Sequence, residues 1–203
     1  NFDGQTYTYS GGLDAFLSKY NSDGSKAWTK LIGTSSHDVA HSVSTADDGS
    51  VYVGGYTNGD LDGQTNSGGY DAFLRKYSSD GSKLWTQLLG TTSYDWGSSV
   101  TTADDGSIYI VGFTGNNLDG QLFSGGWGED AFLSKYNSDG SKEWTNLLGS
   151  SNADFAEGVS TAADGSVYIT GRTKGDLDGQ TNSDTSSSYL SVYTDAFLSK
   201  YNS

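Results

Sequence analysis

Short runs in which strand-forming residues alternate with polar ones recur along the chain, and Asp-Gly pairs separate them. Gly takes the positive φ that a tight turn needs, so an Asp-Gly pair between two such runs predicts a β-hairpin. The clearest hairpins join residues 41–46 to 50–57 through Asp48-Gly49, and Ala15–Tyr20 to Lys26–Ile32 through Asp23-Gly24. The pattern therefore predicts antiparallel strands linked by short turns.

These runs belong to a long internal repeat. The segment DAFLSKY begins at Asp14 and returns at Asp71 (with Arg75 for Ser), Asp130 and Asp195, so that successive copies are 57, 59 and 65 residues apart. A Trp-Thr run follows three of them, and VSTADDGSVYVGGYT at residues 43–57 returns at 100–114 and 159–173. Each unit is predicted to contain four antiparallel strands, as a propeller blade does. A solenoid is the less favoured alternative, because solenoid repeats, at roughly 20–45 residues, are usually shorter than the repeat of this chain.

The composition favours an all-β protein and excludes several classes of partner. The chain has 29 Gly and no Pro, Cys or Met, and its net charge is −14. That charge repels phosphate backbones, which argues against nucleic acid as a partner. No window approaches the ~18 apolar residues of a membrane span. The absence of Cys excludes disulfides and thiolate metal sites. A Cys-free chain rich in Ser, Thr, Gly and Asp suits an extracellular or bacterial cell-surface location.

The pattern DAFLSKYNSDGSKxW…LLG…ADDGSVYVGGYT resembles the bacterial SBBP β-propeller repeat of secreted and surface proteins. The resemblance covers essentially the whole chain and implies a single repeat region, 1–203, of about three and a half blades. The units are 1–33 (partial), 34–90, 91–149 and 150–203 (partial). By analogy with other propellers, the VSTADD strand is innermost and the Trp strand outermost. We expect part of a larger propeller, or a protomer that completes one by self-association.

Comparison of the internal copies separates constant loops from variable ones. The Asp-Gly hairpins barely change, whereas the Asp-Gly-Gln loops at 58–70, 115–129 and 174–194 diverge. A second set of loops, whose first copy is residues 33–42, also varies. Propeller connectivity places the hairpins on one face and these loops on the opposite one, here called the variable face. Variable loops on a rigid scaffold are common binding sites, and Tyr and Trp suit sugar rings or protein hot spots. The predicted ligand-binding residues are Tyr70, Tyr94, Trp96, Phe123, Trp127, Tyr189 and Tyr193. The alternative is that these aromatic residues only pack their own loops.

The Asp-Gly-Gln loops are also candidate calcium sites. In the first copy, oxygen-bearing side chains stand at positions 1, 3, 5 and 9, with Gly at 6, which is the spacing of calcium-binding loops. The predicted ligands there are Asn58, Asp60, Asp62 and Asn66; the other copies offer Asn117 and Asp119, and Asp176, Asp178 and Asn182. Gly69 stands where an EF-hand has its bidentate Glu, so an EF-hand is excluded. The alternative is a turn stabilised by its own hydrogen bonds.

The sequence favours a protein that is not an enzyme. His37 and His41 fall on a turn and a strand, and the aspartates Asp38, Asp95 and Asp154 recur in every copy, which is typical of loop braces. The preferred interpretation is a surface or secreted module that binds a carbohydrate or a surface protein through the variable face. A structural repeat of a surface layer or filament is the alternative. A fragment of a propeller hydrolase is the weaker one.

Overall fold

The computed structural model describes residues 12–124, 126, 128–183 and 194–202. Within these ranges the chain is all-β, and no helix long and apolar enough to cross a membrane occurs in them. The strands are β1 (Ala15–Tyr20), β2 (Lys26–Ile32), β3 (Asp38–Thr45), β4 (Val51–Thr57), β5 (Asp71–Tyr77), β6 (Lys83–Leu89), β7 (Asp95–Thr102), β8 (Ile108–Thr114), β9 (Asp130–Tyr136), β10 (Lys142–Leu148), β11 (Asp154–Thr161), β12 (Val167–Thr173) and β13 (Asp195–Tyr201).

The strands form antiparallel sheets that follow the repeat. Two sheets are complete four-stranded blades, with the orders β3-β4-β5-β6 and β7-β8-β9-β10. The hairpin β1-β2 and the three-stranded sheet β11-β12-β13 flank them in sequence. The first strands β3, β7 and β11 lie next to one another, as the inner strands of propeller blades do. The predicted fold class, blades of four antiparallel strands, is confirmed.

The hydrophobic core lies between neighbouring blades. One cluster joins Tyr52 and Leu74 of the first complete blade to Ile110 and Phe132 of the second. These side chains are at most 2% exposed. Since each blade covers its neighbour in this way, the middle strands β5 and β8 of the complete blades are buried on both faces.

The constant hairpins form a second contact between blades. The indole Nε1 of Trp85 and the Nζ of Lys76 both donate to the carbonyl oxygen of Ser138 in the next blade, at 3.2 and 2.9 Å. Lys76 Nζ also lies 5.3 Å from the ring centroid of Tyr52. The Trp strand is at the outer edge of each complete sheet, as expected.

The inner strands begin earlier than the alternation of residues predicts. The sequence indicated a strand over residues 41–46, whereas β3 starts at Asp38. The reason is a β-bulge, since the pairing shifts between Ala40 and Ser42 and leaves His41 as an extra residue. An extra residue breaks the two-residue period on which strand prediction depends.

Candidate functional site

A β-bulge near the variable face occurs in every inner strand. The extra residues are His41 in β3, Ser98 in β7 and Glu157 in β11, and we call these the bulge positions. The bulged backbone runs so close to the second strand that a Cβ on Gly55 would lie 1.9 Å from the carbonyl oxygen of Val39. Glycine is therefore required opposite the bulge.

The bulges adjoin a continuous row of aromatic side chains. Between the first and second complete blades, Tyr56 of β4 stacks on Trp96 of β7, with ring centroids 4.2 Å apart. Tyr70 meets both rings edge-on, at 5.1 and 6.0 Å, and Tyr94 lies 5.7 Å beyond it. The His41 ring lies 5.4 Å from that of Tyr56. Side chains from three strands and two loops thus meet at one blade junction.

The row continues across the next junction. Trp96 contacts Phe113 at 5.3 Å, and Phe113 meets Phe155 edge-on at 4.9 Å. The guanidinium carbon of Arg172 lies 4.7 Å from the Phe155 ring centroid, a cation–π distance. The aromatic row is defined by Tyr56, Tyr70, Tyr94, Trp96, Phe113 and Phe155.

The polar groups at the two ends of the row differ, with a neutral imidazole at one end and an ion pair at the other. At one end, partial burial lowers the pKa of His41, which favours its neutral form. At the other end, Glu157 Oε1 lies 3.4 Å from Arg172 Nε, and both side chains are about half exposed. Burial also raises the pKa of Glu129, the last residue of the second variable loop. The surface therefore offers apolar rings with polar groups on both sides.

The structure brings some of the predicted ligand-binding residues together. Tyr70, Tyr94 and Trp96 all lie in the aromatic row, and Tyr94 is 57% exposed. Phe123 is half-buried in its own loop, where its backbone N–H donates to Asn117 Oδ1 at 2.9 Å. Three more predicted residues, Trp127, Tyr189 and Tyr193, lie outside the described residues. Ligand binding by any of these residues remains a prediction.

The predicted calcium loops are tight turns that ion pairs anchor. Asp62 and Gly63 both have positive φ, of 53° and 81°, and Leu61 bridges to Gln64. The carboxylate of Asp62 accepts from Arg75, Lys83 and Thr86 of the same blade. Burial opposes its ionisation, but the hydrogen bonds from Lys83 and Thr86 and the charges of Arg75 and Lys83 together outweigh burial and lower the pKa of Asp62.

The other copies of this loop are built alike. Asp119 accepts from Lys142 and Thr145, and it and Asp178 also have positive φ. At the third position of the predicted calcium loops, the Oδ1 atoms of Asp60, Asn117 and Asp176 accept the backbone N–H six residues later. Asn66 and Asn182 donate to the carbonyl oxygens of Thr57 and Thr173, and Asn58 is exposed.

No group of three or more His, Asp or Glu suited to a metal ion occurs in the described ranges. A bound cation would compete with the lysines, and calcium binding remains a prediction.

Pairs of buried aspartates support the loops beside the row. Asp95 Oδ2 accepts from the backbone N and the hydroxyl of Thr91, at 2.7 and 2.9 Å, and Asp38 and Asp154 do the same in their blades. This confirms the predicted loop braces. Asp71 lies nearby, and burial, with a contribution from the charge of Asp95, raises its pKa to about 6. Both carboxyl groups are inaccessible to solvent.

Sequence reasoning missed three members of the row, Tyr56, Phe113 and Phe155, and also Arg172 beside it. Tyr56, Phe113 and Arg172 occupy one aligned position, between an invariant Gly and an invariant Thr, and Trp96 and Phe155 share another, directly after an invariant Asp. Among these, only Trp96 was among the predicted ligand-binding residues. The signal for these residues was a position that varies between the repeats inside an otherwise constant strand, and an alignment of the internal copies would have shown it.

Two comparisons with known proteins bear on this chain. Residues 27–62 match the family model of SBBP, a β-propeller repeat, which confirms the resemblance seen in the sequence. The chain is also similar to the regulatory protein FlaEY of Caulobacter vibrioides, with 30% identity over 192 residues. That alignment covers 88% of this chain but only 19% of FlaEY, so the chain spans a small part of that relative.

Proposed function

Residues 27–62 belong to the SBBP family of β-propeller repeats, and we propose that the chain is a non-catalytic module that binds an extracellular carbohydrate on its variable face. The observation that supports this most is the aromatic row. Tyr and Trp rings with a polar surrounding are the side chains that hold sugars, since the apolar face of a sugar packs on the ring and its hydroxyls find polar partners.

The arrangement of constant and variable parts supports binding over catalysis. The hydrogen-bonded braces, hairpins and core are the same in each blade, and the row is where the blades differ. The carboxyl group of Asp71, whose pKa is raised to about 6, is fully buried behind the loops, where no substrate reaches it. An acid–base catalyst has to be within hydrogen-bond reach of its substrate.

A glycan array followed by titration of the best ligand tests the proposal. We expect the parent to bind, and Trp96→Ala to abolish binding because it removes the ring that contacts Tyr56, Tyr70 and Phe113. Tyr94→Ala is the milder variant, since Tyr94 lies on an exposed loop and its loss leaves the blade intact. Tyr20→Ala is the control: this ring is 62% exposed at the end of β1, on the face of the constant hairpins.

Two results would contradict the proposal. One is a parent that binds no glycan, and the other is a folded Trp96→Ala variant that binds as the parent does. Concentration-dependent assembly in the absence of any glycan would favour the alternative, a structural repeat of a surface layer or filament.

A further inference from the structure

We infer that the bulge positions, His41, Ser98 and Glu157, determine which carbohydrate the variable face accepts. This inference rests on the proposed function and goes beyond it, because it separates the residues that supply affinity from those that supply specificity. The aromatic row provides apolar contact, and the bulge positions provide the polar groups beside it.

The bulges are part of the constant frame of the blades. The register shift occurs at the same place in all three inner strands, and each is opposite a glycine that no other residue replaces. A Cβ on Gly112 would lie 1.7 Å from the carbonyl oxygen of Trp96, and one on Gly171 would lie 1.9 Å from that of Phe155. Bulges are known to redirect side chains next to functional sites. The backbone thus presents one side chain per blade in the same way.

The residues at these positions differ, whereas other positions in the same strands are constant. Two residues after each bulge position the chain has the same residue, Val43, Val100 and Val159. The bulge positions themselves carry an imidazole, a hydroxyl and a carboxylate, which differ in charge and in hydrogen-bonding capacity. A packing role would favour one residue type in three equivalent places, as it does for the valines. Variation in chemistry at a fixed backbone position is what a recognition surface requires.

Two of the bulge side chains, those of His41 and Glu157, lie directly beside the aromatic row. The ring of His41 is 5.4 Å from that of Tyr56 and 6.4 Å from that of Trp96, and the residue is exposed. Glu157 is 55% exposed and pairs with Arg172, which covers the ring of Phe155. A sugar packed on the row would therefore place hydroxyl groups next to these side chains. Glu157 can only accept hydrogen bonds, and neutral His41 can both donate and accept.

Substitution of the bulge residues tests this division of roles on the same glycan array. We expect His41→Gln and Glu157→Gln to change the order in which glycans are preferred, with about a tenfold loss for the best ligand when a charged hydrogen-bonding group is removed. Their melting temperatures should stay close to that of the parent, because both side chains are exposed. Glu143→Gln is the matched control, since it breaks a comparable ion pair with Lys135, at 3.0 Å, on the outer strand.

The outcomes separate this inference from the proposed function. A parent that binds, whose binding Trp96→Ala abolishes, and whose bulge variants keep the parent's order of glycans would overturn the inference alone. A parent that binds no glycan would overturn the proposed function and, with it, the inference. A changed order in the bulge variants, with the Glu143→Gln variant unchanged, is the result that we expect.

Discussion

The indole of Trp85 packs on Gly140 of the next blade, so closely that a Cβ on Gly140 would stand 3.0 Å from Cδ2 of the ring. The glycine has φ of 92°, in the left-handed region that favours glycine. The same contact occurs one blade earlier, between Trp28 and Gly81. A hairpin glycine thus has two functions, one in its own turn and one in the contact between blades.

Gly140→Ala should therefore destabilise the protein more than an alanine at a hairpin glycine that touches nothing. Gly106 is the matched control, with φ of 83° and no atom within 4 Å of its Cβ position. We expect Gly106→Ala to cost about 1–2 kcal/mol from the backbone alone, and Gly140→Ala to cost about 1–3 kcal/mol more from overpacking against the indole. Chemical unfolding measures both, and equal costs would contradict the inter-blade contact.

The Asp-Gly-Gln loops are anchored by a leucine that enters the core. Leu118 is 1% exposed, whereas Leu122, four residues later in the same loop, is 80% exposed. Leu118→Ala should lower the free energy of unfolding by about 2–5 kcal/mol, the usual cost of truncating a buried leucine. Leu122→Ala should change it little. Thermal melts of the two variants compare the positions directly, and a similar effect at both would contradict this anchoring.

The buried aspartates predict an unusual dependence of stability on pH. The pKa of Asp71 rises from 3.8 to about 6 on folding, because burial disfavours its charge. The folded protein therefore holds this proton more tightly than the unfolded chain, so the free energy of unfolding increases as the pH falls through 6 and levels off below about 4. At about 1.4 kcal/mol for each pKa unit, the group contributes about 3 kcal/mol. The pKa values of Asp95, Asp130 and Asp154 are also raised, chiefly by burial.

Asp71→Asn tests this dependence. The parent should melt at a higher temperature at pH 5 than at pH 8, and the variant should show a smaller difference, because the amide carries no charge at either pH. Asp104→Asn is the control, since it makes the same substitution at an exposed hairpin position. If both variants keep the full pH dependence of the parent, the buried carboxyl group of Asp71 is not its source.

The calcium prediction is tested by melting the chain in excess calcium and in EDTA. A site at a hundredfold excess over its dissociation constant adds about 2.7 kcal/mol, which corresponds to about 5–10 °C for a chain of this size. We expect this shift to be lost in Asp60→Ala/Asp62→Ala. Lys83→Met should increase it, because this lysine occupies an oxygen of Asp62. If the melts in calcium and in EDTA superimpose, these loops are turns that bind no calcium.

The sequence predicted the blades and their hairpins because the signals for them are local and repeated. An Asp-Gly pair such as Asp48-Gly49 sets a tight turn through its own backbone preferences, and the copies of DAFLSKY mark one strand of each blade. The braces Asp38, Asp95 and Asp154 could be predicted for the same reason, since the loop residue that each of them holds lies only four positions earlier in the chain.

The candidate site depended on contacts that the sequence does not encode locally. Tyr56 and Trp96 stack across a blade junction, and Phe113 and Phe155 do so across the next, although more than 35 residues separate the members of each pair. The bulge at His41 arises from the approach of two strands, and the partner of Asp62 on β6 lies 21 residues away. Turns and strands follow from short-range preference and period, and so the sequence determined them. The aromatic row exists only where separate blades pack, and the tertiary structure alone decided it.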